Sequence, residues 1–139
     1  MRIIVVDDDR IVVRSLATIL GAEPDIDVVG TGTSGEEAVS LFSQLHPGIA
    51  LLDIQMPGND GLFAAERMLE EDPSARIVFL TTFSDDDYIV QALKLGARGY
   101  LIKQDVATIA PALRSVMAGQ SVLEGEVLAR AASLSQKQA

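Results

Sequence analysis

At 139 residues the chain has the length of one domain, and with no cysteine it can form neither disulfide bonds nor thiolate metal sites. A hydrophobic share of 48% supports a sizeable core, and a formal charge of −9, from 20 acidic against 11 basic residues, argues against nucleic-acid binding by this chain itself. No signal-peptide pattern and no bilayer-length apolar run is present, so a cytoplasmic location without membrane association is the expectation.

Apolar runs and helical patterns alternate five times along the sequence. Ile3-Ile4-Val5-Val6 predicts a first strand, and Val12, Leu16, Ile19 and Leu20 recur at helical spacing before Gly21. Residues 26–29 read as a second strand, and Ala38, Leu41, Phe42 and Leu45 mark a helix ended by His46-Pro47. Ile49-Ala50-Leu51-Leu52 is a buried run, followed by the loop Met56-Pro57-Gly58-Asn59-Asp60-Gly61. Leu62, Ala65 and Leu69 carry a third helix, closed by Asp72-Pro73. Residues 77–80 form strand four, and Ile89, Ala92 and Leu93 a fourth helix before Gly96. Tyr100-Leu101-Ile102 is a short fifth strand, and Val106, Ile109, Ala110, Leu113 and Val116 share the last helical face, up to Gly119.

Strands that are apolar throughout are buried on both faces, so helices must cover both sides of the sheet. Strand–helix alternation makes that sheet parallel with right-handed crossovers, and such folds bind ligands at the carboxyl ends of their strands. There the sequence places Asp7-Asp8-Asp9 after strand one, Asp53 after strand three, Thr81-Thr82 after strand four and Lys103 after strand five. Asp9 is explained as a helix N-cap. The remaining set fits phosphoryl transfer to a carboxylate. Clustered aspartates repel unless a hard divalent cation bridges them, and that cation also offsets charge on an incoming phosphoryl group. A carboxylate is a competent nucleophile for an aspartyl phosphate. A lysine can then pair with the phosphoryl oxygens, and a threonine hydroxyl can donate to them.

Val5-Val6-Asp7-Asp8-Asp9, the string from Leu51 through Asp53 to Gly61, Thr81, and Gly99-Tyr100-Leu101-Ile102-Lys103 together resemble the receiver (CheY-like) domain of two-component response regulators, over about residues 1–120. The resemblance implies a flavodoxin-like, doubly wound parallel sheet of five strands in order 2-1-3-4-5, flanked by five helices. It also implies that Asp53 is the phosphoacceptor, and that Asp8 binds Mg²⁺ directly with Asp7 acting mainly through water. Asp53 and the backbone carbonyl of Gln55 complete the metal shell. Thr81 and Tyr100 are the implied switch pair, and Lys103 holds the phosphoryl group. The implied partner is a sensor histidine kinase, and the implied chemistry is self-phosphorylation and self-dephosphorylation with Mg²⁺ rather than turnover as an enzyme.

Thr81-Thr82-Phe83 with Asp85-Asp86-Asp87, and the segment from Val116 to Leu123, are similar to the NarL/FixJ (LuxR-type) subfamily. That similarity implies homodimerisation on phosphorylation, and DNA binding only through a C-terminal helix-turn-helix domain absent from this chain. Residues 121–139 then read as a short helix over 127–132 and a linker. Two positions depart from the receiver pattern: Gln104 stands where proline often follows the lysine, and Gly48 where an acid is common.

Three rival readings compete with this one. Gly30-Thr31-Gly32-Thr33-Ser34-Gly35 matches a dinucleotide fingerprint, but it follows an edge strand, the chain is short for two nucleotide-binding halves, and a capping box at Ser34 to Glu37 explains the segment. A haloacid-dehalogenase-like phosphatase uses a second aspartate two residues after its nucleophile, where this chain has Gln55. A stand-alone receiver acting by protein contact is the remaining alternative. His46, the only histidine, suits a helix C-terminus better than a phosphorelay role.

Overall fold

A computed structural model describes residues 1–56, 58, 60–82, 86–103 and 105–123, with residues 86, 87 and 123 described by their backbone alone. Strand β1 is Arg2–Val6, followed by α1 (Arg10–Gly21), β2 (Asp27–Gly32), α2 (Gly35–Leu45) and β3 (Ile49–Asp53). Next come α3 (Gly61–Glu71), β4 (Ile77–Thr81), α4 (Asp86–Leu95), β5 (Gly99–Ile102), α5 (Ile109–Met117) and a two-residue strand β6 (Val122–Leu123). The five expected strands stand in the expected order 2-1-3-4-5, all parallel, and β6 extends the sheet by pairing with β5. The helix expected over 127–132 and the linker beyond it lie outside the described residues, as do Phe83, Asp85 and Gln104.

Burial follows from the uninterrupted apolar strands. Val5, Leu51 and Leu80 face one layer, with Leu16 and Leu20 of α1 and Ile109, Leu113 and Val116 of α5. Val6, Leu52 and Phe79 face the other, with Phe42 of α2, Ala65 and Met68 of α3, and Ile89 of α4. Each large aliphatic or aromatic side chain so buried contributes about 1.5–3 kcal/mol, which is what lets a cysteine-free chain hold together.

Several helical readings shift. On α1 the buried stripe is Val13, Leu16 and Leu20, whereas Ile19 is 47% exposed, because the helix rests on the sheet along one narrow line. Leu93 of α4 is likewise exposed, with Ile89 and Ala92 buried instead. Strand β2 runs to Gly32, beyond the expected end at Val29. The intervening glycines resemble a loop signal, but they are packing spacers. A Cβ on Gly30 would lie 2.9 Å from Leu45 Cδ1, and one on Gly32 would lie 3.1 Å from Glu37 Cβ, so α2 seats directly on β2. This accounts for the dinucleotide-like motif without a ligand. Val106 opens a single 3₁₀ turn and α5 starts at Ile109, with Pro111 in the first turn, where its missing N–H leaves no intrahelical bond unmade.

Gly61 is a tighter case. A Cβ there would lie 2.3 Å from the carbonyl oxygen of Asp53 and 3.0 Å from Ile54 Cα. The first residue of α3 therefore presses on the backbone that carries Asp53. Because this neighbour is backbone, Gly61→Ala should cost about 1–3 kcal/mol in a denaturant melt. At Gly30 the neighbours are mobile leucine methyls, so Gly30→Ala should fall within about 1 kcal/mol of neutral. Equal costs for the two substitutions would contradict this packing account.

Candidate phosphoacceptor site

Each site residue sits where a strand gives way to a loop at the same edge of the sheet. β1 is flanked by β2 and β3, so the residue after it, Asp7, is enclosed and fully buried. Its backbone N–H continues the ladder to the carbonyl of Gly32 at 3.2 Å, and its Oδ1 accepts from the backbone N–H of Asp9 at 2.9 Å. Asp8 is exposed. The carboxylate of Asp9 accepts from the N–H groups of Ile11 and Val12, the capping role expected of it.

Asp53 is the last residue of β3 and is 4% exposed. Its Oδ1 accepts from the backbone N–H of Gln55 at 3.2 Å. Behind it, Asp60 caps α3 by accepting from the N–H groups of Leu62 and Phe63. From β5, the Lys103 ammonium reaches across to Asp7 Oδ2 at 2.6 Å and to Asp53 Oδ2 at 3.0 Å, while its backbone N–H bonds the carbonyl of Thr81 at 2.7 Å. Thr81 ends β4 and is 4% exposed.

Burial, and then the neighbouring Asp7 charge, push the Asp53 carboxyl up to about 7, against the pull of Lys103 and the Gln55 N–H. Burial draws the Lys103 ammonium down, but its bonds to Asp7 and Asp53 outweigh that and leave it above its usual range. Asp7, Asp8 and Asp53 each offer a carboxylate oxygen, all within 4.8 Å of one another. An all-oxygen donor set with an excess of negative charge suits a hard divalent cation, so these residues fit Mg²⁺.

Tyr100 on β5 is 1% exposed, turned inward with its ring edge-on to Phe79 at 6.4 Å between centroids. The capping box at α2 is modified. Glu37 N–H donates to Ser34 Oγ at 3.1 Å, but the Glu37 carboxylate accepts from the backbone N–H and hydroxyl of Thr33. Sequence reasoning missed Gly61 as the contact behind Asp53. The Asp60-Gly61 pair at the start of a helical pattern was the available signal.

A fold of this order, with buried aspartates and a lysine meeting at its carboxyl edge, defines a class of aspartate-centred receivers. A family model, the response regulator receiver domain, matches residues 3–114, and the chain belongs to that family. It is 37% identical over 127 residues to the transcriptional regulatory protein DesR of Bacillus subtilis, an alignment covering 91% of this chain and 63% of DesR. It is also 37% identical over 134 residues to LiaR of the same organism, covering 96% of this chain and 64% of LiaR. A crystal structure of a LuxR-family two-component response regulator from Aurantimonas sp. SI85-9A1 superposes with a TM-score of 0.90 at 28% identity, covering 95% of each chain. The chain therefore spans a little under two-thirds of the curated relatives named here. No helix among the described residues is long and apolar enough to cross a membrane.

The electrostatics give a measurable sign. The folded Asp53 binds its proton more tightly than an unfolded aspartate does, so its contribution to stability is full below about pH 4 and is lost as pH rises through about 7. With divalent cations chelated, Asp53→Asn should therefore stabilise the chain at pH 8 by on the order of 1 kcal/mol, and by less at pH 5. The check is a pair of thermal melts; a destabilised Asp53→Asn at pH 8 would show that Lys103 outweighs burial and Asp7.

Proposed function

We propose that Asp53 accepts a phosphoryl group from a sensor histidine kinase, and that the modified domain switches the output of a longer transcriptional regulator. The observation that carries this reading is Lys103 bridging the buried carboxylates of Asp7 and Asp53 beside the exposed Asp8. One Asp53 oxygen attacks the phosphorus of a phosphohistidine. The phosphorus–nitrogen bond breaks, and the imidazole leaves with its electron pair. The Gln55 N–H on Asp53 Oδ1 orients the carboxylate for that attack. Lys103 follows the charge as it spreads onto the phosphoryl oxygens, and Thr81 donates its hydroxyl to one of them.

Asp8 directly, Asp7 through water, Asp53 and the Gln55 carbonyl are the residues we assign to hold Mg²⁺. When bound, the ion neutralises carboxylate and phosphoryl charge. Gln55 has no acidic proton to give, which favours a stored acyl phosphate over turnover of outside substrates. Thr81 and Tyr100 read the phosphoryl group, residues 1–120 form the receiver, and residues 121–139 lead to a DNA-binding domain beyond this chain. Dimerisation on phosphorylation and a cytoplasmic location complete the reading.

Incubation with acetyl phosphate and Mg²⁺ should raise the intact mass by one phosphoryl group in wild type and leave Asp53→Ala unchanged. Equal labelling of both proteins would refute Asp53 as acceptor. Mg²⁺ at ten times its dissociation constant should stabilise the unphosphorylated chain by about 1.4 kcal/mol. Asp8→Ala should remove most of that gain, and a wild-type melt indifferent to Mg²⁺ would count against the assigned metal ligands.

A further inference from the structure

The sixth strand lies outside the family's matched region, which ends at residue 114, and nothing in the site chemistry calls for it. Several separate features build it. After α5 the chain turns through Gly119, whose φ of +92° is a left-handed conformation that L side chains rarely adopt. The turn is fastened to the helix end by Gly119 N–H on the Val116 carbonyl and Gln120 N–H on the Ser115 carbonyl, each at 3.0 Å. The chain then runs parallel to β5. The Val122 N–H donates to the Arg98 carbonyl at 2.8 Å, and the register sets Gly99 against Val122 and Tyr100 against Leu123. A Cβ on Gly99 would lie 3.0 Å from Val78 Cγ1 and 3.5 Å from the Val122 carbonyl oxygen, so β5 is bare at the position that receives β6. Val122 packs against the α1–α5 layer of the core.

Tyr100, the assigned switch residue, is therefore a register partner of β6, opposite Leu123. A two-residue edge strand has little stability of its own, so its pairing depends on how firmly β5 is held. Tyr100 packs edge-on to Phe79 of β4 and so contributes to holding β5, the strand on which β6 rests.

We propose that β6 is the coupling element of the switch: the β5–β6 pairing reports the state of Tyr100 at the far edge of the sheet, becoming firmer when Asp53 carries a phosphoryl group. This inference rests on the assignment of Asp53, Thr81 and Tyr100 made above. A bound phosphoryl group draws Thr81 toward itself and stabilises the inward Tyr100, and the resulting population shift appears at β6.

The test is amide hydrogen exchange on the full 139-residue chain, with Mg²⁺ and with or without beryllofluoride as the phosphoryl stand-in, alongside thermal melts. In wild type the stand-in should slow exchange at the Val122 amide about tenfold. In Thr81→Ala most of that slowing should disappear. Gly119→Ala, which strains the turn into β6, should speed Val122 exchange without beryllofluoride while Asp53 still takes up phosphate by intact mass. A Val122 amide that exchanges equally with and without beryllofluoride, in a chain whose melting temperature beryllofluoride raises, would overturn the coupling and leave the phosphoacceptor reading standing. A chain whose melt and exchange both ignore beryllofluoride would overturn the phosphoacceptor reading and the coupling with it.

Discussion

One ammonium shared between two buried carboxylates governs this molecule. Asp7 and Asp53 stand at the ends of neighbouring strands in the middle of a parallel sheet, where water cannot screen their repulsion. Lys103 touches both, but a single positive charge cannot neutralise two negative ones, and the exposed Asp8 adds a third. The site therefore carries an unbalanced charge by construction. Such an arrangement favours added cations, and it favours redistribution of negative charge outward onto a larger group. A buried ion pair is poor evidence for stability in general. Here the same geometry that burdens the resting fold leaves the edge short of positive charge.

The rest of the architecture serves to hold that edge still. Helices α1 and α5 back the sheet on one side and α2, α3 and α4 on the other, so the strands that deliver Asp7, Asp53, Thr81 and Lys103 are clamped along their length. Behind the site, α3 begins at Gly61 against the Asp53 backbone, and the Asp60 cap fixes where that helix starts. At the opposite end of the sheet, Arg114 of α5 bonds Asp25 at 2.8 Å and Glu23 at 3.0 Å, tying the last helix to the loop before β2. These charges are largely solvated, so they serve registration of the helix more than stability.

The layer arrangement and the gathering of carboxylates with a lysine were legible in the residues, because burial on both sheet faces leaves an unmistakable run of aliphatic residues ending in a charge, whereas the strand order came from the resemblance to the receiver family. What was not legible follows from the limits of local pattern. The second strand was read as ending at residue 29, short of Gly30 and Gly32, since nothing nearby in sequence reveals that Leu41 and Leu45 of the following helix need their space. Ile19 and Leu93 share the chemistry of core residues, and only helix orientation decides that they face water. That the Tyr100 ring lies inward against Phe79 of the neighbouring strand is a tertiary fact that its own strand pattern does not carry. β6 escaped because Val122-Leu123 is too short to carry any periodicity, and its partner lies over twenty residues earlier.

The separation of the site residues along the chain has a consequence for biogenesis. A ribosome releases β1 and β3 well before β5, so for part of synthesis the two central carboxylates are available to pair their strands with no ammonium to accept them. Docking β1 on β3 at that stage would bury two carboxyls with no ammonium beside them, which favours keeping one of them protonated. Lys103 then supplies the counter-charge, directly after the strand that pairs with β4, and its own backbone N–H bonds the Thr81 carbonyl. Closure of the sheet at β5 and delivery of the counter-charge thus fall together late in synthesis, and a chain truncated before residue 103 would keep its two central carboxyls without the ammonium that contacts both.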